Sequence, residues 1–143
     1  MKRIACFVGA LSLLIAGVAQ AQLAVGSWVS RENPKMTMVV EAMGAGYNIT
    51  YRFPTADGKS ATMTLKTTFD GNETDFLING KPTGQTYVGK RIDSHHVTGI
   101  VKMDGRMSAT TKSELSADGN TITVENDSTA MGGGKKIEHW DRR

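Results

Sequence analysis

Tyr47-Asn48-Ile49-Thr50-Tyr51-Arg52-Phe53 alternates apolar and polar side chains almost without a break. In an extended chain successive side chains point to opposite faces. The stretch therefore sets Tyr47, Ile49, Tyr51 and Phe53 on one face and Asn48, Thr50 and Arg52 on the other. A period of two marks a strand with one face on a core. The same alternation recurs in Ala61-Thr62-Met63-Thr64-Leu65-Lys66 and in Thr121-Ile122-Thr123-Val124-Glu125. Between such runs stand turn signals: Gly44-Ala45-Gly46, Asp57-Gly58, Asp70-Gly71-Asn72, Asn79-Gly80, Asp104-Gly105, Asp118-Gly119-Asn120 and Gly132-Gly133-Gly134. Asp-Gly and Asn-Gly suit tight hairpins because both residues take positive φ at little cost.

This rhythm predicts an all-β, antiparallel up-and-down meander of about ten strands, over 25–30, 36–43, 46–53, 60–69, 73–78, 85–92, 96–103, 106–115, 121–129 and 135–140. One segment reads two ways: Met36, Val39, Val40 and Met43 fit a helical stripe, and Met36, Met38, Val40 and Ala42 fit a strand face. Its shortness and the glycine turn after it favour a strand. A run of hairpins leaves two unpaired edges unless the sheet closes. A closed barrel of about eight to ten strands has room for packed side chains or one small ligand.

The first 21 residues read differently. Met1-Lys2-Arg3 is basic, Ile4 to Ala16 is apolar, and Ala19-Gln20-Ala21 has the small-x-small form of a cleavage site. This predicts a signal peptide over 1–21, cleaved after Ala21, a single domain over 22–143, and a periplasmic or secreted protein. The apolar run falls short of the roughly 20 residues that span a bilayer, so no membrane-spanning segment is expected. The formal charge of +3 drops once Lys2 and Arg3 are removed, leaving 15 basic residues against 14 acidic ones. That balance, with few aromatics, excludes a polybasic nucleic-acid binder. Cys6 is the only cysteine, and it precedes most of the apolar run, where an acylated lipoprotein cysteine would follow it. The mature chain thus has neither a thiol nor a disulfide, which excludes thiol catalysis and cysteine-based zinc sites.

Gly26-Ser27-Trp28 opens the first strand. From here the chain resembles the calycin superfamily, meaning lipocalins and related barrels, and more closely small secreted bacterial lipocalin-like proteins of unassigned function. The resemblance continues through Asp57-Gly58-Lys59, Phe69-Asp70-Gly71-Asn72-Glu73, Arg91-Ile92-Asp93, Lys102-Met103-Asp104-Gly105-Arg106, Ser116-Ala117-Asp118-Gly119-Asn120-Thr121 and Trp140-Asp141-Arg142. It implies that Trp28 closes one end of the barrel, packed against a cation, with Arg142 the first candidate and Arg143 the second.

Alternation places Tyr51, Met63, Leu65, Val97, Val101 and Met107 inward, beside the small or polar Gly99, Ala109, Thr111 and Ser113. Small side chains leave volume, and a few hydroxyls orient a ligand without charge. His95 shares a face with Val97 and Val101 and is expected near the mouth. Tyr51, Met63, Leu65, His95, Val101 and Met107 are therefore the expected contacts for a small apolar or amphipathic molecule, bound by a monomer without chemistry. Two alternatives remain open: an envelope-protein interaction module or hydrolase inhibitor, and Cu(I)/Ag(I) handling. The second rests on Met36-Thr37-Met38, which puts two soft sulfurs on one strand face and resembles the Pro-x-Met-Thr-Met site of small periplasmic copper and silver chaperones, with Asn33 where those carry a Trp.

No pattern signals an enzyme or a cofactor. Ser94 beside His95 lacks a Gly-x-Ser-x-Gly elbow. Adjacent His95 and His96 point to opposite faces of a strand, and Asp70, Glu73 and Asp75 do not follow a calcium-loop spacing. The Gly-rich segment from Met131 to Lys136 precedes a strand rather than a helix, so it is no phosphate cradle.

Overall fold

Ten antiparallel strands follow one another and close into a barrel. The computed structural model describes residues 24–143; the expected signal peptide and Cys6 lie outside the described residues. The strands are β1 Gly26–Ser30, β2 Thr37–Met43, β3 Gly46–Pro54, β4 Ser60–Thr67, β5 Asp70–Ile78, β6 Lys81–Arg91, β7 His96–Met103, β8 Arg106–Leu115, β9 Thr121–Asp127 and β10 Lys135–Arg142. Each pairs with its neighbours in sequence, and β1 pairs with β10 through Trp28 opposite Arg142 and Ser30 opposite Trp140. That last pairing completes the ring and leaves no free edge. The ambiguous run around Val39 and Val40 is strand β2, paired on both sides. No helix among the described residues is long and apolar enough to cross a membrane.

The turns follow from their residues. Asn79-Gly80 has φ of 51° and 75°, and Asp104-Gly105 has 49° and 78°, the two-positive pattern whose twist matches that of flanking strands. β6 begins at Lys81 rather than at 85, because Pro82 and Gly84 are absorbed into the strand instead of breaking it. The register slips between Asp75 and Leu77 at this point, and the Thr83 hydroxyl donates to the Phe76 carbonyl at 3.0 Å. β4 stops at Thr67 because Phe69 turns the corner at a φ of 53°. β9 gives way at its end to a short 3-10 turn, Thr129–Met131.

The alternation of β3 carries into three dimensions. Tyr47, Ile49, Tyr51 and Phe53 all face the lumen, with Met63 and Leu65 beside them on β4 and Met38 and Val40 on β2. The core is the inner wall, with Trp28, Met38, Val40, Tyr47, Ile49, Leu65, Phe76, Tyr87, Leu115, Ile122 and Trp140 buried. β8 departs from simple alternation. Val101 pairs with Ala109 but Lys102 pairs with Met107, so Ser108 is an extra residue, and its hydroxyl donates to the Val101 carbonyl at 3.1 Å. This bulge changes the face presented on its far side.

Candidate functional site

The lumen is not filled. A cavity of about 360 Å³ runs through it, within the lower part of the range of about 300–1,000 Å³ typical of small-molecule sites. Its middle is apolar, formed by Met38, Val40, Ile49, Met63, Leu65, Phe76, Val97, Val101, Ile122 and Val124. One reason for the space lies on the wall between β6 and β7. Gly89 and Gly99 are paired across these strands, and the Tyr87 ring lies over both. A Cβ on Gly99 would stand 2.3 Å from Tyr87 Cε2, and one on Gly89 would stand 2.5 Å from Cε1. The missing side chains let the ring lie along the wall instead of projecting across the lumen.

One end of the barrel is sealed. Trp28 is fully buried, and its indole N–H donates to the Ala24 carbonyl at 3.0 Å. The Arg142 guanidinium carbon sits 4.3 Å from the indole centre, while Nε donates to the Gly119 carbonyl at 2.9 Å and Nη1 to the Val25 carbonyl at 2.8 Å. Arg142, not Arg143, stands over the ring; the Arg143 backbone N–H donates to the Ser27 carbonyl. At the same end Tyr47 and Phe69 are 5.5 Å apart, and Arg91 covers both, its Nη2 donating to the Tyr47 hydroxyl at 2.9 Å. The other end of the lining holds half-exposed Met36, Phe53, Gln85, Asn126 and Glu138. Glu138 is paired there with Lys136 at 2.8 Å.

Of the expected contacts, Tyr51, Met63, Leu65, His95 and Val101 line the cavity. Met107 does not. It is 44% exposed and lies on the outer surface, because the bulge at Ser108 breaks the alternation that would have turned it inward. Ala109 pairs with the inward Val101 but is not among the cavity-lining residues, whereas Thr111 and Ser113 are. His95 belongs to the Trp28 end, its Nδ1 at 2.8 Å from the Ser94 hydroxyl. His96 turns outward to Asp93, and His139 turns outward to Glu32. Met36 and Met38 both line the cavity. The strand register puts Tyr51 between Met38 and Met63, so β3 separates these two thioethers.

The sequence matches no protein-family model and no curated protein. The chemistry of the lumen must be read from its own residues.

Sequence reasoning missed Tyr87, Arg91, Gln85, Asn126, Glu138 and Trp140, all of which line the cavity. For β6 the signal was present: Gln85, Tyr87, Gly89 and Arg91 share one face, and Tyr87 identifies it as the inner one. For β10, burial of Trp140 fixes Glu138, two residues earlier, on the same face. The Tyr51 ring meets Trp140 edge-on at 6.0 Å, and its hydroxyl makes no hydrogen bond with the described residues. Burial raises its pKa well above the ordinary phenol value, with Tyr87 and the Glu138 carboxylate adding to the effect. Burial also raises that of Tyr87, partly offset by the neighbouring Thr111 hydroxyl. Tyr51 and Tyr87 are therefore neutral groups near pH 7. The lumen thus offers an apolar middle and a few polar groups at its ends and along one side.

Proposed function

We propose that this protein is a non-catalytic carrier that binds one compact apolar or amphipathic molecule inside its barrel. The observation that carries this reading is the 360 Å³ cavity within a closed barrel, apolar in its middle and lined also by the Tyr51 hydroxyl, which has no hydrogen-bond partner among the described residues. A cavity with an apolar body and a few convergent polar groups is the form that small-molecule sites take. A filled barrel would have favoured the interaction-module reading, and an unfilled one argues against it. The soft-metal reading is weaker for a geometric reason, since Tyr51 intervenes between Met38 and Met63. The closed ten-strand meander, with Trp28 under Arg142, supports a lipocalin-like relationship, and the basic-then-apolar pattern of residues 1–21, read as a signal peptide, supports work in the periplasm or outside the cell.

Native mass spectrometry on protein purified from its own compartment tests this directly, together with titration of a fluorescent apolar probe. The expected result is saturable one-to-one binding, reversed by a lipid extract. Failure to bind any probe saturably, with no co-purifying molecule, rejects the carrier reading.

A further inference from the structure

Among the described residues, Arg91 is the one lysine or arginine that lines the cavity. It is half-buried, and its orientation is fixed from below: the guanidinium carbon lies 5.5 Å from the Tyr47 ring centre and 5.9 Å from that of Phe69. Phe69 reaches this place from a backbone φ of 53°, a conformation uncommon for a bulky side chain and found where the surroundings enforce it. Of five guanidinium N–H donors, one is engaged by the Tyr47 hydroxyl. Arg91 has no ion-pair partner among the described residues. A half-buried cation without a counter-ion is costly, and an anion that supplies one recovers that cost.

The two carboxylates in the lining do not serve this purpose. Asp93 accepts from the backbone N–H groups of His95 and His96 and lies 2.8 Å from His96 Nδ1, so its oxygens are engaged within its own loop. Glu138 belongs to the opposite end and pairs with Lys136. Charge is therefore divided between the two ends: at the Trp28 end stand Arg91, with no ion-pair partner among the described residues, and Asp93, held by its own loop, and at the other a carboxylate held by lysine. The volume of the cavity is also informative. At about 360 Å³ it falls in the lower part of the range of about 300–1,000 Å³ typical of small-molecule sites, which calls for a compact ligand.

Resting on the carrier reading above, we infer that the ligand is a compact amphipathic monoanion, its carboxylate held by Arg91 and the Tyr47 hydroxyl and its apolar body along the Met38, Ile49 and Leu65 wall. One guanidinium suits a singly charged headgroup; a phosphate dianion would call for a second cation, and the lining has no other lysine or arginine among the described residues.

Isothermal titration with decanoate, decanol and decylamine tests this, using the wild-type protein and the variants Arg91→Gln and Arg91→Lys. Decanoate is expected to bind at least ten times more tightly than decanol, with an affinity that falls as salt rises. Arg91→Gln is expected to lose about tenfold for decanoate and to leave decanol unchanged, with Arg91→Lys in between. The wild-type comparison and its salt dependence hold even if a variant folds poorly. Equal binding of acid and alcohol, or equal weakening of both by Arg91→Gln, overturns the inference and leaves the carrier reading standing. Preferential binding of decylamine overturns it and moves recognition to Glu138. If none of the three binds, the inference falls together with the carrier reading.

Discussion

The Arg142 guanidinium carbon lies 4.3 Å from the centre of the fully buried Trp28 indole, and the two residues are also directly paired across β1 and β10. The contact therefore does two jobs at once. It seals the floor of the lumen, and it sits on the seam where the last strand meets the first. Trp28→Ala is expected to cost about 3–5 kcal/mol, as for other large-to-small changes at buried aromatic positions. Arg142→Ala is expected to cost less, because a stacked guanidinium contributes about 0.5–2 kcal/mol to the ring contact. Its hydrogen bonds to the Gly119 and Val25 carbonyls add a further loss. Urea denaturation measures both. A loss under about 1 kcal/mol for Trp28→Ala would mean that the seam closes without this plug.

Gly99→Ala tests why the lumen is open. The added methyl would stand 2.3 Å from Tyr87 Cε2 and 2.6 Å from Thr111 Oγ1, so the ring must leave the wall. Overpacking of this kind costs about 1–3 kcal/mol. The displaced ring would also enter the cavity, so probe affinity should fall along with stability. Tyr87→Leu removes the nearest clash partner, so Gly99→Ala should cost less in the Tyr87→Leu background than in the wild type. Strictly additive losses in that double-mutant cycle would show that the glycine pair has no special relation to Tyr87.

Leu65 and Met107 were read from sequence as equivalent, both on an inward face, and they should now part company. Leu65 is 3% exposed and Met107 is 44% exposed. Leu65→Ala is expected to cost about 2–5 kcal/mol. Met107→Ala should stay within about 0.5 kcal/mol, with no effect on probe binding. Comparing the two melting curves decides the matter, and a large loss at Met107 would place the bulge at Ser108 elsewhere.

The same pair of residues shows what sequence does and does not carry. Strand identity, order and the inner face of β3 and β4 are local properties, written in the alternation of 47–53 and 61–66 and in turns such as Asn79-Gly80. Closure follows from the need to satisfy edge groups, and the ring shows it as β1 against β10. Register across neighbours is not local. The extra Ser108 is invisible until β7 and β8 are paired, and it turns Met107 out. Pro82 and Gly84 read as strand breakers, yet the slipped register beside Leu77 accommodates them. The cavity itself depends on how Tyr87 lies on Gly89 and Gly99, a three-residue relation spread over two strands.

Glu32 offers a pH-dependent test of how β10 is held from outside. Its carboxylate accepts from the His139 backbone N–H at 3.0 Å and lies 2.6 Å from His139 Nδ1, tying the β1–β2 loop to the middle of β10. These bonds favour the charged carboxylate, the backbone one most, and hold its pKa at about 2 against an ordinary 4.5. A carboxyl depressed in the folded state contributes its full stability above the unfolded value. That contribution is lost as pH falls through the folded value. The wild type should therefore be more stable than Glu32→Gln at pH 7 and remain so down to about pH 4.5. Between there and about pH 2 the gap in melting temperature should close. Because Glu32 is solvent-exposed, the gap itself is expected to be small and to shrink further in high salt. Thermal melts of both proteins from pH 7 to pH 2 read it directly, and a difference that stays constant across that range would detach the loop contact from the ionisation of Glu32.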